Sequence, residues 1–547
     1  MKLPPSLQNI IKEIPECLVV GGSVRDWLLG ETPKDFDIEV YHSDWEQLEA
    51  ALSPHGKTDA VGKAFGIVKL TTPDEETYDF SLPRTDSKTG TGHKDFTTQP
   101  NPHLTHKEAA ARRDLTINAL AWNPKNGETL DFFGGLNDLA EQRLRHTSPQ
   151  FTEDPLRALR LFQFSARLNF SVDPETRALC RHMADQGEYH HLPKERVGEE
   201  FQKFLLKGKN HQRGFEELQA CGWHVFFPHL QALYGLPQDP EFHPEGDVIT
   251  HTALCLSSLR DIDAYRNAPE NEKLVFCYGT LSHDLGKATT TKTEFKAKLG
   301  RKAVISPGHD LAGVEPTKEL LTQINAPRAA IVRAQLHAQH HMAHLHINTN
   351  REILLLAKWL SPKNPYAENP QIHETISGLA VITEADASGR GPLPKGQSPA
   401  MQEILKKAEV LGCLHRPIKG FIQGQELIDA NIPDGKARKI VMDCAYTAQL
   451  KGEFTDKDSA KAWLQKKKMA ILLNSQTGPK KILEAQEIIE SGIQPGPILA
   501  RITNALYHLQ LEGKITTKEE AWQAAKKIRT ESEKSLDKKA AAPTFTP

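Results

Sequence analysis

GGSVRDWLLG at residues 21–30 and KDFDIEV at residues 34–40 decide how this 547-residue chain is read. The apolar run Cys17–Val20 leads into Gly21 and Gly22, Phe36–Tyr41 alternates, and Gly66–Thr71 is rich in β-formers. An α/β pattern is therefore predicted over residues 16–81. Two glycines after a strand let the backbone approach a phosphate with no Cβ in the way. Ser23 adds a hydroxyl donor, and Arg25 a forked grip on phosphate oxygens. Asp35 and Asp37 are two apart on a predicted strand and so share a face. Paired carboxylates suit magnesium, which takes few protein oxygens and completes its shell with phosphate and water. A lone D-x-D reads first as a solvated strand end, and the GGSVRD turn upstream is what raises it to a metal site. Asp79, at the end of TYDFS, is a candidate third carboxylate.

Working outward, residues 83–106 are polar, rich in turn formers and without period, which predicts a flexible loop. ARRDLTINALAW follows. Read as a helix, it sets Asp114 and Asn118 four apart on one face, where they can hold the 2′- and 3′-hydroxyls of a ribonucleotide. Arg112 and Arg113 are candidates for phosphate contact. In TEDPLRALRLFQF, Thr152 or Asp154 caps a helix with Pro155 in its first turn. Asp154, Arg157 and Arg160 recur every three residues along one edge. An acid and a guanidinium together can meet the Watson–Crick edge of a base.

These three blocks, in this order and near this spacing, resemble the bacterial class II tRNA nucleotidyltransferases, the CCA-adding enzymes, and their poly(A) polymerase relatives. The resemblance covers the first ~230 residues. It implies that Asp35 and Asp37 hold catalytic magnesium and that Gly22, Arg25 and an arginine of the RRD motif bind ATP or CTP. It further implies that Asp154 and Arg157 template the base and that Arg160 reaches the triphosphate. Where some members have another arginine, this chain has Gln163. In the family the segment matching residues 83–106 helps the site switch from C to A.

Nine of the 24 histidines lie in residues 243–346. GDVITHTALC, LVFCYGTLSHDLGK and VITEADASGRG resemble an HD-domain phosphohydrolase, with His251, His283, Asp284 and Asp386 around one metal. Imidazole and carboxylate donors suit a first-row transition metal such as nickel, manganese or cobalt. His309, with His337 and His341 on one helical face, would complete a second site. Farther on, IPDGKARKIVMDCAYTAQLKGEFTDKDSA is echoed 61 residues later by IQPGPILARITNALYHLQLEGKITTKEEA, a duplicated helical unit.

The fold class expected is α+β: a nucleotidyltransferase head with a small mixed sheet (1–145), then a mainly helical body. That body divides into a neck (146–242), an HD domain (243–390), a linker at residues 391–399, a helical tail for tRNA (400–530) and a disordered end (531–547). Hydrophobic residues make up 38% and charged residues 25%, enough for several cores. The net charge of −2 excludes a uniformly basic protein but not a basic groove. No C-x-x-C pair or long apolar stretch occurs, and the charges and prolines of residues 1–16 are not what is expected of a secretory leader. The expectation is a cytoplasmic enzyme acting on tRNA with ATP and CTP, with no membrane or DNA partner. Its rivals are a poly(A) polymerase or A-adding enzyme, and an RNA-binding regulatory HD protein with an inactive head.

Overall fold

The computed structural model describes residues 1–33, 35–59, 66–88, 96–361, 374–430, 432, 435–476, 482–493, 497–511 and 514–539. The chain divides into two compact units, one of residues 1–231 with 322–326, the other of residues 232–321 with 327–547.

The first unit opens with the strands β1 (Cys17–Val20), β2 (Asp37–Val40), β3 (Lys57–Asp59), β4 (Ile67–Thr71) and β5 (Thr77–Ser81). A separate ribbon, β6 (Arg84–Lys88) and β7 (Phe96–Pro100), precedes the short β8 (Ala121–Trp122) and β9 (Thr129–Leu130). All but the ribbon form one seven-stranded sheet in the order β3-β4-β5-β2-β1-β8-β9. β1 is central and buried throughout, which suits its run of Cys, Leu and two Val. It pairs antiparallel with β2, Val20 opposite Asp37, and β2 pairs parallel with β5, Asp37 opposite Asp79. This register gathers the Gly21 turn, Asp37 and Asp79 on three adjacent inner strands, β1, β2 and β5.

Residues 83–106 differ from the loop expected of them. β6 and β7 pair from Arg84 opposite Pro100 to Lys88 opposite Phe96, so the stretch is a hairpin whose centre, 89–95, lies outside the described residues. The Thr-rich strands carry the pairing, which polarity alone concealed. Behind the sheet, the helices Leu156–Leu168, Lys194–Lys207 and His211–Ala220 pack around Phe162, Phe201, Phe204 and Phe215.

In the second unit the helices Val248–Ser258, Glu270–Ser282, Arg328–His340 and Ile376–Ser388 enclose the histidine cluster. An antiparallel pair of strands, Lys292–Lys296 and Arg301–Ile305, interrupts what reads as continuous helix. Residues 391–399 are no linker between independent domains. Gln397 donates to the Ala380 carbonyl at 2.7 Å and accepts from Thr383 at 3.0 Å. Leu356, Leu379, Met401 and Ile404 share one core across this segment.

The repeat folds twice into the same three-helix unit: Gly424–Asp429, Lys436–Leu450 and Lys457–Gln476, then Ala485–Glu490, Pro497–Leu511 and Lys518–Lys539. Equivalent side chains make equivalent bonds. Gln449 accepts from the Phe421 N–H at 2.8 Å and Gln510 from that of Ile482 at 3.1 Å. Lys457 pairs with Glu426 at 2.7 Å and Lys518 with Glu487 at 2.6 Å. The end expected to be disordered from residue 531 is helical to Lys539, because its Glu, Lys, Ser and Leu continue a strong helix former; 540–547 lie outside the described residues.

His337 does not join a metal cluster. It pairs with buried Glu374 at 2.9 Å, which Arg333 also grips at 2.8 Å. Burial opposes ionisation of Glu374, but His337 and Arg333 outweigh it and hold its pKa at about 2 against an ordinary 4.5. A depressed carboxylate stabilises the fold fully above the ordinary value and loses that contribution as pH falls from 4.5 towards about 2. Glu374→Gln should therefore cost about 3–5 kcal/mol near neutral pH, since it strands a buried guanidinium. Urea midpoints of the two proteins should converge in acid, and a constant gap from pH 7 to pH 3 would refute the assignment.

Candidate active sites

In the head, Gly21 adopts φ +75°, and a Cβ there would stand 3.1 Å from Arg113 Nη1 and 3.5 Å from Asp37 Oδ2. The glycine turn thus lies against the carboxylate and the arginine. The helix Gly22–Leu28 starts here, with its N–H groups and positive dipole end at the turn. It is short, so the anion-binding character rests on the side chains as well. Asp35 precedes β2 and, like Asp37, is exposed. Asp37 reaches solvent, yet the protein packed around its carboxylate still raises its pKa; Arg113 opposes this, and Asp79, Asp35 and Glu39 add to it. A carboxylate with raised proton affinity among like charges fits a divalent cation, which would relieve the repulsion. Asp79 belongs to this group through its register on β5.

Asp114 and Asn118 are not on one helix. The helix His106–Ala111 ends before them, and Asn118 closes a tight turn, Thr116–Asn118. They meet nevertheless: Asn118 Nδ2 donates to Asp114 Oδ1 at 3.0 Å. Arg25 Nη1 donates to Asn118 Oδ1 at 2.5 Å, and Arg160 Nε to Asp114 Oδ2 at 2.7 Å. Both guanidinium groups also lie over the Phe164 ring, at 5.0 and 5.5 Å. Burial alone would raise the pKa of Asp114, but Arg160 and the Asn118 bond bring it to about 2. Asp114 and Asn118 thus fix two arginines rather than standing free for ribose hydroxyls. Buried Glu39, not anticipated from sequence, pairs with Arg112 at 3.1 Å and lies 3.6 Å from Arg113. It continues the alternation of Asp35 and Asp37, which was the available signal.

The helix Leu156–Leu168 begins as its Pro requires, and Asp154 Oδ1 accepts the Leu156 N–H at 3.1 Å. Asp154 and Arg157, expected to read a base together, have different partners here. Asp154 pairs with Arg196 at 2.8 Å, while Arg157, buried, donates to the carbonyls of Gln150 and Arg112 at 2.5 Å each. Gln163 is buried, two positions before Ser165 in the same helix.

In the second unit, His251, His283, Asp284, His309 and His341 are buried together. His251 Nε2 lies 3.2 Å from Asp386 Oδ1 and 3.6 Å from Asp284 Oδ2. His309 and His341 approach Asp284 Oδ1 at 3.3 and 3.8 Å. Lys287 meets Asp284 Oδ2 at 2.6 Å. His283, His309 and His341 each engage a backbone carbonyl through Nδ1, at 2.7–2.8 Å, and His251 Nδ1 lies 2.7 Å from Glu245. Such outer bonds fix the tautomer and leave Nε2 turned inward as a ligand. Burial and the neighbouring His309 and His283 push the pKa of His341 down to about 3, so it is the neutral imidazole that metals bind. His283 Nε2 is buried without an aligned hydrogen bond. This donor set fits a metal centre, with Asp284 between the His251–His283–Asp386 side and the His309–His341 side.

A mixed sheet carrying a glycine turn and carboxylates on adjacent inner strands, followed by a helical body, defines a metal-dependent nucleotidyltransferase. Residues 17–145 match the family described as "Poly A polymerase head domain", and residues 169–233 the "Probable RNA and SrmB- binding site of polymerase A". A multifunctional CCA protein of Neisseria meningitidis is 36% identical over 374 residues, covering 68% of this chain and 82% of that protein. One from Xylella fastidiosa is 35% identical over 381 residues, covering 68% and 83%. The structure is similar to the Bacillus stearothermophilus CCA-adding enzyme in complex with CTP, with TM-score 0.57, 20% identity and coverage of 86% and 100%. It is also similar to the Thermotoga maritima CCA-adding enzyme complexed with tRNA, with TM-score 0.50, 20% identity and coverage of 86% and 96%. At that identity these two likenesses concern the fold. The chain belongs to the family of the multifunctional CCA proteins, bacterial class II CCA-adding nucleotidyltransferases. Among the described residues no helix is long and apolar enough to cross a membrane.

Proposed function

We propose that this chain adds C, C and A to the 3′ end of tRNA from CTP and ATP, releasing pyrophosphate, and that its second unit hydrolyses phosphoesters. The observation carrying the first part is the register that sets the Gly21 turn, Asp37 and Asp79 on adjacent inner strands, with Asp35 just before β2. Asp35 and Asp37 hold magnesium there. Bound magnesium supplies charge neutralisation and a lowered pKa for the primer hydroxyl. Arg25, Arg112 and Arg113, with the Gly21–Gly22 turn and Ser23, bind the triphosphate, and Arg160 joins them from the neck helix. Selection of a ribonucleotide by Asp114 and Asn118 requires them to exchange their arginine bonds for substrate ones.

Base choice is assigned to Asp154 and its helix, with Arg157 exchanging a carbonyl bond for the base when it takes part. Asp154→Ala should blur the distinction between CTP, ATP, UTP and GTP more than it weakens triphosphate binding. Arg157→Ala should do so too and also lower stability, by roughly 1.5–3 kcal/mol for a charged hydrogen-bonding group lost. Competition assays with mixed triphosphates and urea melts check both. Unchanged selectivity in both variants would leave these residues a purely structural role.

The second part rests on the buried cluster around Asp284. His251, His283, Asp284 and Asp386 would hold a transition metal there, which would supply activation of water for attack on a phosphoester. We assign 2′,3′-cyclic phosphates as substrates, on the resemblance of this unit to HD phosphohydrolases. The substrate set belongs to the cytoplasm. The test of the main reading compares a tRNA lacking CCA with an unstructured RNA of equal length. Extension of the tRNA by three residues supports it. A long adenylate ladder on either RNA from ATP alone would make the chain a poly(A) polymerase.

A further inference from the structure

The buried metal cluster contains a donor that neither the composition nor the HD pattern singles out. Cys255 stands one helical turn after His251 on Val248–Ser258 and is fully buried. Its Sγ lies 3.4 Å from His251 Nε2, the ring nitrogen that faces Asp386 and Asp284. The ligand atoms of His251, Cys255, His283 and Asp386 all lie within 4.8 Å of one another. Bonds of ~2.0–2.1 Å to nitrogen or oxygen and ~2.3 Å to sulfur put tetrahedral donors roughly 3.4–3.6 Å apart. Asp386 Oδ1, 3.2 Å from His251 Nε2, is near that range; Sγ lies 3.4 Å from Nε2 and 3.8 Å from Nδ1 of the same ring, at the ring's edge, so rotation about the cysteine Cα–Cβ bond completes the geometry. Gly389 makes room for the sulfur, since a Cβ at that position would overlap Sγ. A second observation concerns His283 Nε2, 1% exposed: it has no aligned hydrogen bond, its near neighbour is Asp284 Oδ2 at 3.3 Å, and it belongs to the same group of ligand atoms as Sγ. Sγ also lies 3.8 Å from the Asp386 carbonyl.

We propose that Cys255 is a metal ligand: its thiolate, with His251, His283 and Asp386, forms a four-donor site selective for a thiophilic divalent metal such as zinc or cobalt. The proposal deepens the metal-centre reading above and rests on it. Two imidazoles, a thiolate and a carboxylate are poor hosts for magnesium and good ones for metals that accept sulfur. A bound cation deprotonates a coordinating thiol outright, so burial of the thiol is no obstacle. Asp284 is then released from sole duty at this site and bridges towards His309 and His341, which form the neighbouring group with it.

The test uses full-length, metal-stripped protein titrated with cobalt(II) chloride, counting bound cobalt per chain and recording the near-ultraviolet difference spectrum. An intense sulfur-to-cobalt charge-transfer band is expected in the wild type. It should vanish in Cys255→Ser and in Cys255→Ala, both of which should still bind cobalt, at least ~10-fold more weakly. Circular dichroism identifies any variant that has not folded. Cobalt bound by the wild type without the band, or a band that survives in a folded variant, overturns the thiolate ligand and leaves the metal centre standing. No cobalt bound by the wild type overturns the metal centre, and the proposal with it.

Discussion

Asp37→Ala should lower nucleotide incorporation at least ~100-fold, and Asp35→Ala should do the same, because each removes an oxygen that holds the charge-stabilising cations. Asp37 is the more constrained of the two. It opens β2, opposite Val20 on one side and Asp79 on the other, and it lies beside the Gly21 turn. Asp35, just before the strand, is exposed and less tightly framed. Neither substitution should disturb folding much, since an exposed acid at a strand end contributes little stability. If anything, removing one member of a cluster of like charges relieves repulsion. Single-turnover incorporation of labelled CTP, read beside a urea melt, checks both halves. Incorporation within about threefold of wild type by folded Asp37→Ala would remove the proposed active site.

The second large effect separates the two chemistries. Asp284→Ala should abolish phosphoester hydrolysis, because Asp284 lies among His251, His283, His309 and His341 and its carboxylate reaches both sides of the cluster. Nucleotide addition should stay within about threefold. Asp284 lies ~250 residues beyond Asp35 and in a different compact unit. Asp35→Ala should do the reverse. Asp284 also anchors Lys287 at 2.6 Å, so its loss costs stability and calls for the conservative Asp284→Asn as a second variant. Hydrolysis of 2′,3′-cyclic nucleotides with nickel, manganese or cobalt, and CCA addition with magnesium, are the two readouts. Failure of CCA addition in folded Asp284→Asn would end the two-site account, and absence of any hydrolysis in the wild type would make the histidines structural.

What could be read in advance follows the range of the interactions involved. GGSVRD and DFD were legible because a strand alternates its side chains and a glycine turn is local. Asp154 was legible as a helix-start residue for the same reason. Its partner was not: Arg196 lies 42 residues on, in another helix, and only tertiary packing brings it to 2.8 Å. Asp114 and Asn118 meet, but across a tight turn rather than along a helix, so a correct pairing came from a wrong local structure. The β6–β7 hairpin was hidden by polarity, since Thr, Ser and Asp satisfy both loop and ribbon. His337 shows the limit of helical spacing. It shares a face with His341, yet its ring turns to Glu374, because a buried imidazole goes to the nearest carboxylate. Cys255 was overlooked for the opposite reason: in HTALC a cysteine on an apolar face looks like ordinary core.

The measurement that bears most directly on the central claim omits nucleotides one at a time. A tRNA lacking its last three residues is given CTP alone, ATP alone, or both, and the products are sized at single-nucleotide resolution. Two additions with CTP, none with ATP alone, and three followed by arrest with both are the predicted result. Extension by ATP alone, or growth past three with both, would contradict it.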